Sequence, residues 1–267
     1  MDNYVHGYSE RETERLYDQA DSVKDLLHHD TGYPAGARVL EAGCGVGAQT
    51  VTLARKSPGA FILAIDISNE SLCKAQALIT ESRVPNVAFQ RADLFSLPFA
   101  EESFDHIFLC FVLEHLARPE RALTSLRTVL KPGGSLTVIE GDHGSCYFHP
   151  QTEPSLHAWN CLVQVQASLG GNSLIGRQLF PLLDRSHFQN ICISPRMVYV
   201  DRSKPQLMDS FVNKTIIPMV EGVKKAALQR GLIDELTWRK GIRDLHGIAE
   251  SDEGTFCYTF FKAVCIK

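Results

Sequence analysis

The sequence predicts an α/β fold: a mostly parallel sheet with helices on both faces. Three observations carry this. Apolar runs of strand length alternate with helix-length amphipathic segments from Ala37 to Glu140. The runs, such as Ala60–Ile65 (AFILAI), are continuously apolar rather than alternating, as in strands covered on both sides. A glycine-rich turn at Gly43, Gly45 and Gly47 follows the first strand and opens a helix.

The elements follow in order. Ser9 to His29 reads as a helix, with Ser9 and Glu12 spaced as a capping box and Leu16, Ala20, Val23, Leu26 and Leu27 at helical intervals. Gly32, Pro34 and Gly36 then break the chain. Arg38–Leu40 is a first strand ending in Glu41, and a helix runs from the glycine turn through Leu53. Ala60–Ile65 is the second strand, and Ser68 caps a helix to about Ser82. Val87–Arg91 and Phe104–Cys110 are strands three and four. A helix at Pro119–Leu130 is stopped by Lys131-Pro132-Gly133-Gly134, and Ser135–Glu140 is strand five. Beyond Glu140 the rhythm changes. A polar, histidine-rich connection (GDHGSCYFHPQTEP) leads to helices around Ser155–Leu169 and Leu174–Asp184, then a strand at Ile191–Val200. Helical stretches at Pro205–Arg230 and Ile233–Glu250 precede a long closing strand, Thr255–Ile266.

Composition narrows the class. The 267 residues are 44% hydrophobic and 22% charged, enough to bury a core without disulfide or metal staples. Net charge is −4, and the short basic patches Lys224-Lys225 and Arg239-Lys240 lie among acids, so the basic stripe of a nucleic-acid binder is missing. The eight cysteines form no CxxC pair and no zinc spacing, which suits free thiols in a reducing compartment and no bound metal. Asp142, His143 and His149 can also be read as oxygen and imidazole ligands for a divalent ion, but their spacing matches no known site. The N-terminus has no secretory apolar region, and no apolar run reaches the ~20 residues of a membrane span. A cytoplasmic protein that does not engage membranes is expected.

The glycine turn reads Leu40-Glu41-Ala42-Gly43-Cys44-Gly45-Val46-Gly47. Glycines let the backbone approach a ligand, and the following helix presents unpaired N–H groups. Gly43-x-Gly45-x-x-Ala48, with Asp66 further on, also satisfies a dinucleotide fingerprint, so a nicotinamide or flavin enzyme stays open on this turn alone. Three acids shift the balance. Glu41 before the glycines suits an ammonium and a sulfonium and would repel a pyrophosphate. Asp66 ends strand two, where a carboxylate meets ribose hydroxyls. Asp93 follows strand three, where it can accept from an adenine amine. All three stand at strand carboxyl ends, where open α/β sheets bind ligands.

As an ordered set, LEAGCGVG, Asp66, Asp93, Leu97-Pro98-Phe99 with Ser103-Phe104-Asp105, Val112-Leu113-Glu114-His115-Leu116 and Leu130-Lys131-Pro132-Gly133-Gly134 resemble a known group. They are similar to class I S-adenosylmethionine-dependent methyltransferases of the ubiquinone/menaquinone-methyltransferase-like group, methyltransferase domain 11/25 type. The likeness covers about residues 37–140, and 141–267 matches only in outline. Tyr4-Val5-His6-Gly7-Tyr8-Ser9, with Glu12 and Arg15-Leu16, resembles a segment that caps the cofactor site in some of these enzymes.

The resemblance implies a Rossmann-like seven-stranded sheet closed by an antiparallel hairpin, which Ile191–Val200 and Thr255–Ile266 would supply. It implies S-adenosyl-L-methionine as methyl donor and S-adenosyl-L-homocysteine as product. Glu41, Gly43 and Gly45 would surround the methionine part, with Tyr4, Cys44 and Gln49 in the same cofactor set. Asp66 would bind the ribose with Ile67 on the adenine, and Asp93 and Leu94 would hold the adenine amine. Phe111 would lie beside the sulfonium. Glu41 stands where the family usually has Asp.

The chemistry expected is in-line methyl transfer to a small molecule, in which the protein positions the reactants and excludes water. His115, His143 and His149 are candidate bases, with Glu114, Glu140 and Asp142 as acidic alternatives. Glu140, Tyr147, Phe148, Trp159 and Asn213 are candidate acceptor contacts. Residues 1–36 are expected as an N-terminal helical cap on a domain of 37–267, with the helical insertion 201–253 as a lid over the acceptor site. A cover of that size argues against tRNA or a folded protein as acceptor, and a monomer or homodimer is expected. A non-catalytic module that senses the cofactor or activates a partner remains the other reading.

Overall fold

The computed structural model describes residues 10–267, so Tyr4, Tyr8 and the expected cap Ser9 lie outside the described residues. The first half runs α1 (Glu10–Ser22), α2 (Lys24–His28), β1 (Arg38–Ala42), α3 (Ala48–Lys56), β2 (Phe61–Asp66), α4 (Asn69–Glu81), β3 (Val87–Arg91), β4 (Phe104–Cys110) and α5 (Pro119–Val129). Then come β5 (Leu130–His149), α6 (Glu153–Ser168), α7 (Leu179–Arg185) and β6 (Gln189–Val200). A helical stretch follows: α8 (Pro205–Leu207), a π-helix (Met208–Ile216), α9 (Ile217–Gly222), α10 (Lys224–Gln229) and α11 (Glu235–Glu250), and β7 (Thr255–Ile266) closes.

The seven strands form one sheet in the order β3-β2-β1-β4-β5-β7-β6. β1 is parallel to β2 and β4, β2 to β3, and β4 to β5, while the last strand is antiparallel. The expected α/β class and antiparallel closure therefore hold. The described residues divide into two compact units: residues 24–141, 175–196 and 260–267 form one, and residues 10–23, 142–174 and 197–259 the other.

In the first unit the continuous apolar strands are covered on both faces: Val39, Leu40, Ile62, Ala64, Ile65, Ile107, Phe108 and Leu109 are all buried. One core cluster joins Leu40, Ile107 and Val138 of the sheet to Leu123 and Leu126 of α5 and Leu179 and Leu183 of α7. Each such side chain contributes about 1.5–3 kcal/mol. Ser68 caps α4 as expected, its side chain accepting from Ser71 N. The second unit has an aromatic core of its own, where Phe148 stacks on Phe256 and Trp159 and Phe211 meet Tyr258 edge-on.

Three elements depart from the sequence reading. The N-terminal helix is interrupted at Val23, where Ser22 Oγ bonds back to Gln19 O at 3.0 Å; such back-bonding competes with the helix ladder. The connection expected after Glu140 is strand as far as His149. Its polar residues are satisfied there: His143 Nδ1 lies 2.7 Å from Tyr258 Oη, and Asp142 Oδ1 accepts from Gly144 N. The helix expected from Pro205 widens into a π-turn ahead of Pro218, whose missing N–H and ring cannot join an ordinary α ladder. Thr215 Oγ1 there donates to Ser210 O, five residues back. Among the described residues no helix is long and apolar enough to cross a membrane.

Candidate functional site

The site grows out of the turn between β1 and α3. Gly43, Gly45 and Gly47 have φ of 77°, 53° and 81°, the left-handed region that side chains disfavour. The turn is tied to the end of β2, with Gly43 N and Cys44 N donating to Ile65 O at 2.8 and 2.9 Å. A Cβ on Gly43 would stand 2.7 Å from Val112 Cγ2, whereas one on Gly45 would meet nothing within 4 Å. So Gly43 is required by packing, while Gly45 faces open space. Gly47, the N-cap of α3, supplies no side-chain cap, which leaves the helix's first amides to other partners.

The strand order then lines up the acids. Across neighbouring strands, Asp93 lies two residues past the end of β3, Asp66 ends β2 and Glu41 is the last residue but one of β1; Phe111 directly follows β4, and Glu140 lies within the long strand β5. Asp66 is braced by backbone: its Oδ2 accepts from Gly45 N and its Oδ1 from Ser68 N, both at 2.9 Å. Asp93 Oδ1 accepts from Phe95 N at 2.9 Å. Ile67 is 50% exposed although apolar, and Leu94 packs half-buried against the core.

Glu41 is 2% exposed, and its Oε2 has no hydrogen-bond partner. Burial foremost pushes its carboxyl up to about 8; the Thr50 hydroxyl opposes this and the charge of Asp66 adds to it. A buried acid with an oxygen to spare is suited to a cationic ligand. Cys44 is buried, and burial, with Glu41 and Asp66 nearby, raises its thiol well above the ordinary range. Gln49 Oε1 lies 2.8 Å from Nε2 of His28, a fully buried ring that burial above all depresses to about 4. Sequence reading passed over His28, because only the fold brings α2 to α3.

Phe111 sits just past β4 at φ 58°, its N–H bonded to Ile139 O and its ring 5.4 Å from that of Phe260. Glu140 is wholly buried, and its Oε1 accepts from Val112 N and Leu113 N at 3.0 and 2.7 Å. His115 ends the short 3-10 turn Leu113–His115, with Nε2 3.6 Å from Glu114 Oε1.

The remaining candidates belong to the second unit. His143 is buried among Tyr258 and Trp159, and Trp159 Nε1 donates to His143 O at 2.9 Å. Phe148 and Trp159 are buried, Tyr147 is 65% exposed, and His149 is exposed at the end of β5. Asn213 lies in the π-helix, and its side-chain oxygen has no hydrogen-bond partner. Tyr4 lies outside the described residues.

The chain is similar to known methyltransferases in sequence and in fold. The family described as "Methyltransferase domain" matches residues 40–138. A demethylmenaquinone methyltransferase of Tropheryma whipplei is 31% identical over 166 residues, 56% of this chain and 67% of that protein. Methyltransferase GfsG of Streptomyces halstedii is 33% identical over 132 residues, 49% of this chain and 43% of the relative. The chain spans only a quarter to about a half of the first curated relatives it matches. Among solved structures, phosphoethanolamine N-methyltransferase 2 of Haemonchus contortus superposes with a TM-score of 0.59 at 14% identity, over 97% of this chain and 58% of that one. YcgJ of Bacillus subtilis gives 0.57 at 15% identity, over 96% and 98%. These two show the shared fold.

Proposed function

The chain belongs to the class I S-adenosylmethionine-dependent methyltransferases, and on that premise we propose that it transfers a methyl group from S-adenosylmethionine to a small-molecule acceptor by in-line displacement. One observation carries the reading: three carboxylates on successive strand ends, Glu41, Asp66 and Asp93, border a left-handed glycine turn. The residues fit the cofactor. Glu41 has a buried oxygen unspent, Gly45 opens on free space, and Ile67 exposes apolar surface beside Asp66. Glu41, Gly43, Cys44, Gly45 and Gln49 would hold the methionine part, Asp66 and Ile67 the ribose and adenine, and Asp93 and Leu94 the adenine amine.

Bound there, S-adenosylmethionine supplies a methyl group on a sulfonium. The chain's own work is alignment, worth ~7–11 kcal/mol in effective molarity when reactants are well oriented. The Phe111 ring offers a π-face for a cation, ~0.5–2 kcal/mol. For an acceptor that must lose a proton, His115 is the best-placed base of the three histidines, since its turn begins two residues after Phe111. His143 is engaged with Tyr258 in a packed aromatic cluster, which supports a structural role. We assign acceptor selection to the 141–190 and 201–253 segments, where Tyr147 and Asn213 are the contacts with a group unspent. Known relatives include a demethylmenaquinone and a phosphoethanolamine methyltransferase, so acceptors in this family are diverse.

The test has two arms. Calorimetry should register tight binding of S-adenosylhomocysteine and none of a nicotinamide dinucleotide; the reverse outcome would overturn the reading. A metabolite screen for S-adenosylhomocysteine release should then identify an acceptor. Binding without turnover on any small molecule would favour a non-catalytic cofactor-binding module.

A further inference from the structure

We propose that Glu140 is a positioning residue: its carboxyl fastens the turn after β4, so that Phe111 and Val112 are held against the cofactor loop. The inference rests on the cofactor reading above and adds a role to a residue that the sequence suggests as an acceptor contact or an alternative base.

Val112, Leu113 and Glu114 begin a one-turn 3-10 helix, whose leading N–H groups have no partner within the turn. Glu140, within the neighbouring strand β5, satisfies two of them with one oxygen, Val112 N at 3.0 Å and Leu113 N at 2.7 Å. Phe111, immediately before, is held at φ 58°, a conformation a bulky residue adopts only when its surroundings impose it. Two constraints flank it: its own N–H bonds to Ile139 O at 2.9 Å, and Glu140 grips the next two amides. The gripped Val112 fills the space that Gly43 leaves by lacking a Cβ, 2.7 Å from where that atom would stand. Glu140, Val112 and Gly43 thus form a continuous chain of contact from β5 to the loop proposed to hold the methionine part.

The electrostatics fit a clamp better than a cation ligand. Glu140 is fully buried, and burial first, then the charge of Glu114, pushes its carboxyl well above the usual range. A glutamine amide matches the carboxyl in shape and still offers a carbonyl oxygen to both amides. Glu140 Oε2 has no hydrogen-bond partner.

Three variants of the full chain decide the matter: Glu140→Gln, Glu140→Leu and Glu140→Asp. S-adenosylhomocysteine affinity is measured by calorimetry, and hydrogen exchange is followed over residues 111–116. Glu140→Leu should bind roughly 10- to 100-fold more weakly and exchange faster over 111–116. Glu140→Gln should recover most of both, because its carbonyl replaces the accepting oxygen. Where the leucine variant does not fold, Glu140→Asp decides: one methylene shorter, it should lose about tenfold in affinity with the fold intact. Unchanged affinity in a folded leucine or aspartate variant overturns the proposal. So does a glutamine variant as impaired as leucine, which would mean that an ionised carboxylate is needed. Wild-type protein that fails to bind S-adenosylhomocysteine would instead sink the cofactor reading itself.

Discussion

Asp66 closes the glycine turn upon itself: its Oδ2 takes the Gly45 amide at 2.9 Å while its Oδ1 holds Ser68 N at the same distance. The residue proposed to receive the ribose therefore also fixes the loop beside it. Asp66→Ala should weaken S-adenosylmethionine binding by ~1–3 kcal/mol, through loss of charge-assisted hydrogen bonds. Asp66→Asn, which keeps one carbonyl acceptor, should fall between the two. Calorimetry checks both, and an alanine variant that is folded and binds as wild type would remove the ribose assignment.

Gly43 tests the packing of the same loop. Gly43→Ala forces a Cβ toward Val112 Cγ2 and strains a φ of 77°. Overpacking costs about 1–3 kcal/mol and a left-handed alanine about 1–2. Adding Val112→Ala relieves only the first part. The double variant should thus be less unstable in urea than the sum of the singles, and strict additivity would contradict the contact.

Glu41 makes stability fall with pH. The unfolded carboxyl ionises near 4.5, whereas the folded one keeps its proton to about 8. Between these values the folded state binds the extra proton, so stability declines as pH rises and levels off above about 8, a change on the order of several kcal/mol. Urea midpoints across this range should show the slope, and Glu41→Gln should flatten it. On the proposed placement, cofactor binding near neutral pH should also release a proton, which calorimetry in buffers of differing ionisation enthalpy would detect.

His28 acts with the opposite sign. Its ring is depressed from 6.5 to about 4, so the unfolded chain gains a proton first as pH falls and stability is lost through that window. His28→Gln should reduce this acid slope while leaving the Glu41 slope in place.

Lys262 anchors α2 from β7. Its Nζ donates to Asp30 Oδ1 at 2.7 Å, Thr31 Oγ1 at 2.6 Å and Leu27 O at 3.3 Å. Removing one partner of a buried pair costs ~3–5 kcal/mol, and partial exposure of Asp30 places Lys262→Met at the low end. Because His28 lies within the anchored segment, S-adenosylhomocysteine affinity should fall as well. Urea titration and calorimetry of one variant check both effects.

Most of the sheet was legible because its signals are local. β3, β4 and β7 begin and end where their apolar runs do, and α4 begins where Ser68 can cap it. The positions of the glycine turn and of Glu41, Asp66 and Asp93 near strand ends were legible for the same reason, since each follows from a local apolar run. What escaped depends on partners distant in sequence. Asp142 and His143 read as loop because their polarity is local, while the Tyr258 hydroxyl that satisfies His143 lies 115 residues on. The Glu140 grip on Val112 and Leu113, and the meeting of His28 with Gln49, are likewise properties of topology rather than of spacing.

The sheet order carries a consequence for biosynthesis. Within the described sheet, β6 has β7 as its neighbour, and β7 lies between β5 and β6. A ribosome delivers Gln189–Val200 long before Thr255–Ile266, with the helices from Pro205 to Glu250 in between. Through that interval the nascent polypeptide displays an unsatisfied strand edge at β5 and another at β6. Such edges invite pairing with other chains, so chaperone demand should peak just before the final strand emerges.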